Sequence, residues 1–188
     1  MILPIVVYGY PVLKQKTVEI SNDFENLEEL IKNMWQTMYH AQGIGLAAPQ
    51  INKSIRLFIV DTLQLKDRKN EEPTFNGIKK AFINPIILEE SGAEWKYEEG
   101  CLSIPGIREH VERKPNLKIQ YQDEQFNTHV EEYDGINARV IQHEYDHIEG
   151  ILFTDKIKPL TKKLIQTKLN KISRGEFKAD YRTKVFGR

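Results

Sequence analysis

The sequence predicts an α+β fold, and three observations carry that reading. Two stretches place apolar residues at helical spacing, short β-branched and aromatic segments lie between them, and no internal repeat or low-complexity tract interrupts the order. The length of 188 residues fits one domain, and 40% apolar with 29% charged residues is the composition of a soluble globular protein.

The chain opens with an apolar stretch, MILPIVVYGYPVLK, but no cationic run precedes Ile2, and Pro4, Gly9 and Pro11 interrupt it. No later run approaches the roughly 18 consecutive apolar residues of a membrane helix, so the expectation is a cytoplasmic protein with no membrane partner. From Asp23 to about Ala41, residues Leu27, Leu30, Ile31, Met34, Met38 and Ala41 recur at helical spacing, with Ser21, Asn22 or Asp23 as the cap and Gly43 as the stop. Arg56 to Val60 suits a strand, and the polar stretch DRKNEEPTFNG that follows reads as a surface loop. Further strands are predicted at 81–88, 94–97, 117–121 and 128–133, with turns around Pro105 and Pro115. Asp134 opens a second helix that runs to about Glu149, where Gly150 occupies the place of a left-handed cap.

The net charge of zero hides an asymmetry, because residues 156–188 hold 11 Lys+Arg against 2 Asp+Glu. Leu160, Leu164, Ile165 and Leu169 recur there at helical spacing with lysines between them, which predicts an amphipathic helix. Residues 1–158 are expected to form the catalytic domain and 159–188 a basic helix and tail, either part of that domain or an appendage. The lysines either face water or serve a partner that presents phosphates.

Within the second helix, His143-Glu144-Tyr145-Asp146-His147 puts two imidazoles four residues apart and therefore on one face, where they can grip one metal ion. Glu144 then stands beside the metal as a proton carrier; the alternative is two isolated histidines on a charged face. Ile136 and Val140 share that face, as an apolar pocket wall or as plain core. Asp146 is either an acceptor that orients a ligand or an exposed helical charge.

A catalytic metal usually keeps three protein ligands and an open position. The metzincin pattern H-E-x-x-H-x-x-G-x-x-H is matched through Gly150, but its last ligand position is Phe153, which cannot coordinate. The single cysteine, Cys101, has no disulfide partner within the chain, and its thiolate would complete a Cys-His-His set. Upstream, Gly43-Ile44-Gly45-Leu46-Ala47-Ala48-Pro49-Gln50 formally contains a dinucleotide fingerprint in the wrong context, with a helix before it and a strand after. Such glycines either let the backbone at Ile44 and Gly45 approach a peptide closely or simply make a turn.

Taken together, GIGLAAPQ, EGCLS and QHEYDH resemble, in order, the three signature motifs of the peptide deformylase family. The resemblance spans roughly residues 1–160 and implies antiparallel sheets around a central metal-binding helix, with an N-terminal and a C-terminal helix. It implies that Cys101, His143 and His147 hold one divalent metal and that Glu144 is the general acid/base. Gln50, through its side-chain amide, and the Leu102 backbone N–H would hold the formyl oxygen as it becomes an oxyanion, and Gly45 would pair with the substrate backbone. The substrate implied is an N-formyl-methionyl peptide, with formate as product. Arg108 either meets the substrate or is solvated, and Glu99 with Arg113 is a candidate structural pair. The family implies ferrous iron, although zinc, nickel and cobalt suit the same donors. In some bacterial members of the family a C-terminal helix docks on the ribosome, which makes the ribosome the expected partner of the basic helix here. The competing readings are an HExxH zincin-like metalloprotease and a non-enzymatic binding domain.

Overall fold

The computed structural model describes residues 1–65 and 76–187. Of the stretch DRKNEEPTFNG, only Asn76 and Gly77 fall within them, so the predicted surface loop lies almost wholly outside the described residues.

In chain order the elements are β1 (Ile5–Val6), α1 (Leu27–His40), β2 (Gly45–Ala47), β3 (Leu57–Asp61), β4 (Lys79–Ser91), β5 (Trp95–Cys101), β6 (Ile104–Arg113), β7 (Asn116–Gln122), β8 (Thr128–Asp134), α2 (Gly135–Ile148), the single turn α3 (Phe153–Lys156), α4 (Pro159–Ser173) and β9 (Thr183–Lys184). Short 3-10 turns at Pro11–Lys14, Ala48–Ile51 and Thr62–Leu65 join them. One sheet has five strands in the order β2-β3-β4-β7-β8, every neighbour antiparallel; β5 and β6 form a separate hairpin, and β1 pairs with β9 in parallel. This is the α+β architecture the sequence predicts. Among the described residues no helix is long and apolar enough to cross a membrane.

α1 begins later than its periodicity suggests, because Asn26 adopts φ 58°, a left-handed conformation from which a right-handed helix cannot extend backwards. Its buried face is Ile31, Met34 and Met38, and Glu28 and Glu29 in the first turn favour the positive end of the helix dipole.

α2 lies at the centre and is buried nearly all round. Ala138, Val140, Ile141 and Ile148 pack against Phe58, Val60, Phe82, Leu117, Ile119 and Tyr121 of the five-stranded sheet. On another side, Arg139 donates to the carbonyls of Trp95 and Val111, which ties α2 to the hairpin. Because both sides are covered, even the polar residues Asn137, Gln142 and Asp146 are buried, and each finds a partner: Thr62 and the Asn76 carbonyl, the Lys114 carbonyl, and Arg113, respectively.

The hairpin corrects the sequence reading. β5 continues past Tyr97 to Cys101, the turn falls at Leu102–Ser103, and Pro105 lies inside β6 rather than in a turn. Gly100 pairs with Arg108 and Cys101 with Ile104, so residues 105–107 bulge out of the ladder, where a proline forfeits no hydrogen bond.

The C-terminal helix also differs in its face. Ile165, Leu169 and Ile172, spaced by four and three, are buried against Val6, Val7, Leu13, Ile104 and Val111, whereas Leu160 and Leu164 are 72% and 74% exposed. Beyond α4 the chain returns to the body: Ile5 N–H donates to the Arg182 carbonyl at 2.9 Å and Val7 N–H to Lys184 at 3.1 Å.

α2 ends as the sequence expects. The N–H of Ile151 bonds the Asp146 carbonyl and that of Gly150 the His147 carbonyl, a Schellman closure with Gly150 at φ 75°. A Cβ at Gly150 would also stand 2.8 Å from the Lys14 carbonyl carbon. Gly150→Ala is therefore expected to lower the unfolding free energy by about 1–3 kcal/mol in urea titration, the left-handed penalty plus a backbone shift; a variant as stable as the parent would contradict this account of the helix end.

Candidate metal centre

His143 and His147 emerge one turn apart from α2, and Cys101 closes β5 opposite them. Their donor atoms all lie within 4.8 Å of one another. The Cys101 Sγ is 3.2 Å from His147 Nε2, and the two imidazole centroids are 5.2 Å apart at 76°. Phe153, the position where a metzincin would have its third histidine, is instead a buried ring lying beside His143 at 6.2 Å.

The orientation of His143 comes from Glu99 on β5. Its carboxylate accepts from His143 Nδ1 at 2.9 Å, from Arg113 Nε and Nη2 at 2.7 and 2.9 Å, and from Arg139 Nη1 at 2.7 Å. With Nδ1 engaged, Nε2 is the nitrogen left for the cysteine side. Burial works against the charge on Glu99, but hydrogen bonds from Arg113 and His143 prevail and hold it well below the usual carboxylate range. Arg113 continues to Asp146 at 2.7 Å, and Lys156 reaches the same carboxylate at 3.2 Å. Asp146 is thus neither an exposed charge nor a partner of the histidines; it anchors the arginine that anchors Glu99.

Gln50 sits in the 3-10 turn after β2. Its Oε1 accepts from Ala47 N–H at 2.8 Å, which commits the amide nitrogen to the other side, 3.2 Å from Ser103 Oγ and 3.5 Å from Cys101 Sγ. Glu144, 4% exposed, stands against β2: a Cβ at Gly45 would collide with its carboxylate, so a glycine is the residue that lets strand and carboxylate approach. Among the described residues its Oε2 is buried without a partner, and burial pushes its pKa up to about 7.

A cleft of about 630 Å³ opens over these groups. Ile44, Gly45, Gln50, Cys101, Leu102, Arg108, Ile136, Val140, His143 and Glu144 all line it, and His147, buried and not part of the lining, meets Cys101 through its Nε2. Every sequence-predicted site residue is therefore in one place. Arg108 stands at the rim, its side chain 60% exposed and paired with Glu98 at 2.7 Å. Residues 2–163 match the family model for polypeptide deformylase. The chain belongs to the peptide deformylase family.

The similarity extends over nearly the whole chain. The peptide deformylase of Flavobacterium psychrophilum is 56% identical over 98% of this chain and 97% of its own length, and that of Christiangramia forsetii 53% identical over 97% and 95%. Among solved structures, peptide deformylase from Plasmodium falciparum superposes with a TM-score of 0.80 at 40% identity, covering 91% of this chain and 95% of that one. The Legionella pneumophila enzyme gives 0.80 at 34% identity over 94% and 98%.

Two parts of the deformylase cleft escape the sequence reading. Arg139 lies four residues before His143, so helical spacing alone would have put it on the ligand-bearing face. Lys178, Ala179, Asp180 and Tyr181 also line the cleft, and nothing local in the sequence signals that.

Removing Arg113 takes away two of the hydrogen bonds to the buried Glu99 carboxylate, which keeps Arg139 and His143, and leaves the buried Asp146 with Lys156, so both charges are under-compensated. Arg113→Met is expected to cost about 3–5 kcal/mol of stability at neutral pH. Because the Glu99 pKa is depressed on folding, its contribution is present above the unfolded carboxylate value of about 4.3 and is lost as the pH falls below it. The gap between parent and variant should therefore narrow in denaturant titrations at about pH 3 compared with pH 7; a constant gap would show that Glu99 is not the group stranded.

Proposed function

We propose that this protein is a metallohydrolase that removes the formyl group from the N-terminal formyl-methionine of nascent chains, releasing formate. The observation that carries this reading is the meeting, in one cleft, of a three-donor metal site, a buried carboxyl with an oxygen unpaired among the described residues, and an amide donor whose orientation is set by the Ala47 N–H. The donor chemistry fits a divalent ion held by Cys101, His143 and His147, with Glu99 on the far side of His143. Iron(II) is the ion favoured, with zinc, nickel or cobalt accommodated by the same donors. Such an ion supplies Lewis acidity, which acidifies water and polarises a carbonyl.

The chain's own residues do the rest. Glu144, with a pKa near the working pH, takes a proton from the attacking water and delivers it to the amine nitrogen as the C–N bond breaks. Gln50 Nε2 and the Leu102 N–H donate to the formyl oxygen as negative charge develops there. Gly45 and Ile44 offer backbone to the substrate peptide, and Ile44, Ile136 and Val140 form the apolar wall for the methionine side chain. Arg108 stands where the peptide leaves the cleft. The protease alternative lacks a donor at Phe153, and a binding domain has no use for a buried carboxyl with an unpaired oxygen.

The protein is taken to act in the cytoplasm at the ribosome, whose RNA phosphates attract the basic segment 159–188. On α4, Lys163, Lys168 and Lys171 are exposed, whereas Lys162 is engaged with Asp155 at 2.8 Å.

Formate release from formyl-Met-Ala-Ser tests the reaction, with cleavage of an unformylated peptide as the contrast. Glu144→Gln should retain its metal yet lose about 10²–10⁴-fold in turnover, because the proton carrier is gone while the donors remain. Cys101→Ala should fail to retain metal in elemental analysis; full occupancy in that variant would refute the donor set. Reversing the charge of Lys163, Lys168 and Lys171 should weaken co-sedimentation with ribosomes and its salt dependence while hydrolysis of the short peptide stays intact, and undiminished sedimentation at low salt would rule the segment out.

A further inference from the structure

The family match ends at residue 163, yet the chain beyond α4 comes back to the cleft. The return path is secured at several points. β9 runs beside β1, with Ile5 N–H on the Arg182 carbonyl and Val7 N–H on Lys184; Phe177 and Val185 pack on the core beneath α4, and the Phe186 ring meets Tyr10 edge-on at 5.4 Å. Tyr181 is the residue next to the first of those rungs.

The half-buried Tyr181 ring packs, with Leu102, against the core cluster that includes Met38 and Leu46, and its hydroxyl donates to the Leu102 carbonyl at 2.7 Å. Leu102 and Ser103 are the two residues of the β5–β6 turn, which the ladder itself leaves free between Cys101 and Ile104. Three contacts pin that turn, each from a distant part of the chain. Tyr8 N–H holds the Ser103 carbonyl at 2.8 Å, Gln50 Nε2 holds Ser103 Oγ at 3.2 Å, and Tyr181 holds the Leu102 carbonyl. Among the described residues, the Tyr181 contact is the one of the three that falls on Leu102 itself. The Leu102 N–H lies in the peptide plane shared with Cys101 and its carbonyl in the plane shared with Ser103; with Cys101 held in the ladder and the carbonyl held by Tyr181, the rotation about the Leu102 Cα that would swing the N–H away from the cleft is restricted.

We infer that Tyr181 is a positioning residue for the reaction: its hydroxyl holds the Leu102 turn so that the Leu102 N–H points at the developing oxyanion. This rests on the reading above in which that N–H serves the formyl oxygen. An oxyanion donor acts through preorganisation, so loosening it lowers turnover and leaves ground-state binding almost untouched.

The test uses the full-length, metal-loaded protein and Tyr181→Phe, which keeps the ring packing and removes the hydroxyl alone. On formyl-Met-Ala-Ser, kcat should fall about five- to twenty-fold while KM changes by less than about twofold, a smaller loss than deleting a donor outright. Metal content and thermal midpoint should match the parent, and in 15N-labelled protein the Leu102 amide resonance should shift while those of Thr183 and Lys184 hold still. An unchanged kcat, or a loss accounted for by missing metal or a lowered midpoint, would overturn the inference while leaving the deformylase reading in place. Failure of the parent protein to release formate would instead overturn that reading, and this inference with it.

Discussion

The site hangs on one buried carboxylate. Glu99 lies on β5 with two guanidiniums and an imidazole around it, and those partners come from β6 and α2, so a single group joins hairpin to central helix. A charge taken this far from water costs several kcal/mol unless its partners are well placed. Here the account nearly balances, with Glu99 and Asp146 set against Arg113 and Arg139, and Lys156 at the edge beside Asp146. The same cluster sets the imidazole of His143, so the geometry of the donor set depends on the ion pairs behind it.

Two glutamates that line the same cleft are thereby driven in opposite directions. Glu99 is surrounded by cations and stays ionised far into acid, whereas Glu144 is buried with one oxygen that finds no hydrogen-bond partner among the described residues and is pushed up to about 7. The first is fit to hold a position and the second to exchange a proton. Residue type does not separate them. Their surroundings do, and Gly45 belongs to those surroundings, since any side chain there would displace the Glu144 carboxylate.

The cleft is assembled from four distant parts of the chain: the glycine-bearing strand, the hairpin turn, the central helix and the segment that follows α4. None of these is long, and the turn at Leu102–Ser103 is held by contacts reaching in from near both ends of the molecule. Backbone donors on a turn are useful in catalysis only when the turn is held, which gives the outlying segments a bearing on chemistry they do not perform.

The sequence by itself determined the helix bearing His143, Glu144 and His147, its stop at Gly150, and the residue types able to bind metal, because helical spacing and left-handed caps are local properties and donor chemistry belongs to the side chain. Three short motifs in order pointed to the family and, through it, to Cys101, Gln50 and Leu102. Only the tertiary structure decided the rest. Asp146 became a buried anchor because Arg113 arrives from β6; β5 extended to Cys101 because β6 lies beside it; Leu160 and Leu164 stayed in water because Ile165, Leu169 and Ile172 won the buried face; and Tyr181 reached Leu102 because β9 pairs with β1. Each of these is a contact between residues far apart in the chain, and the spacing of neighbours carries no record of it.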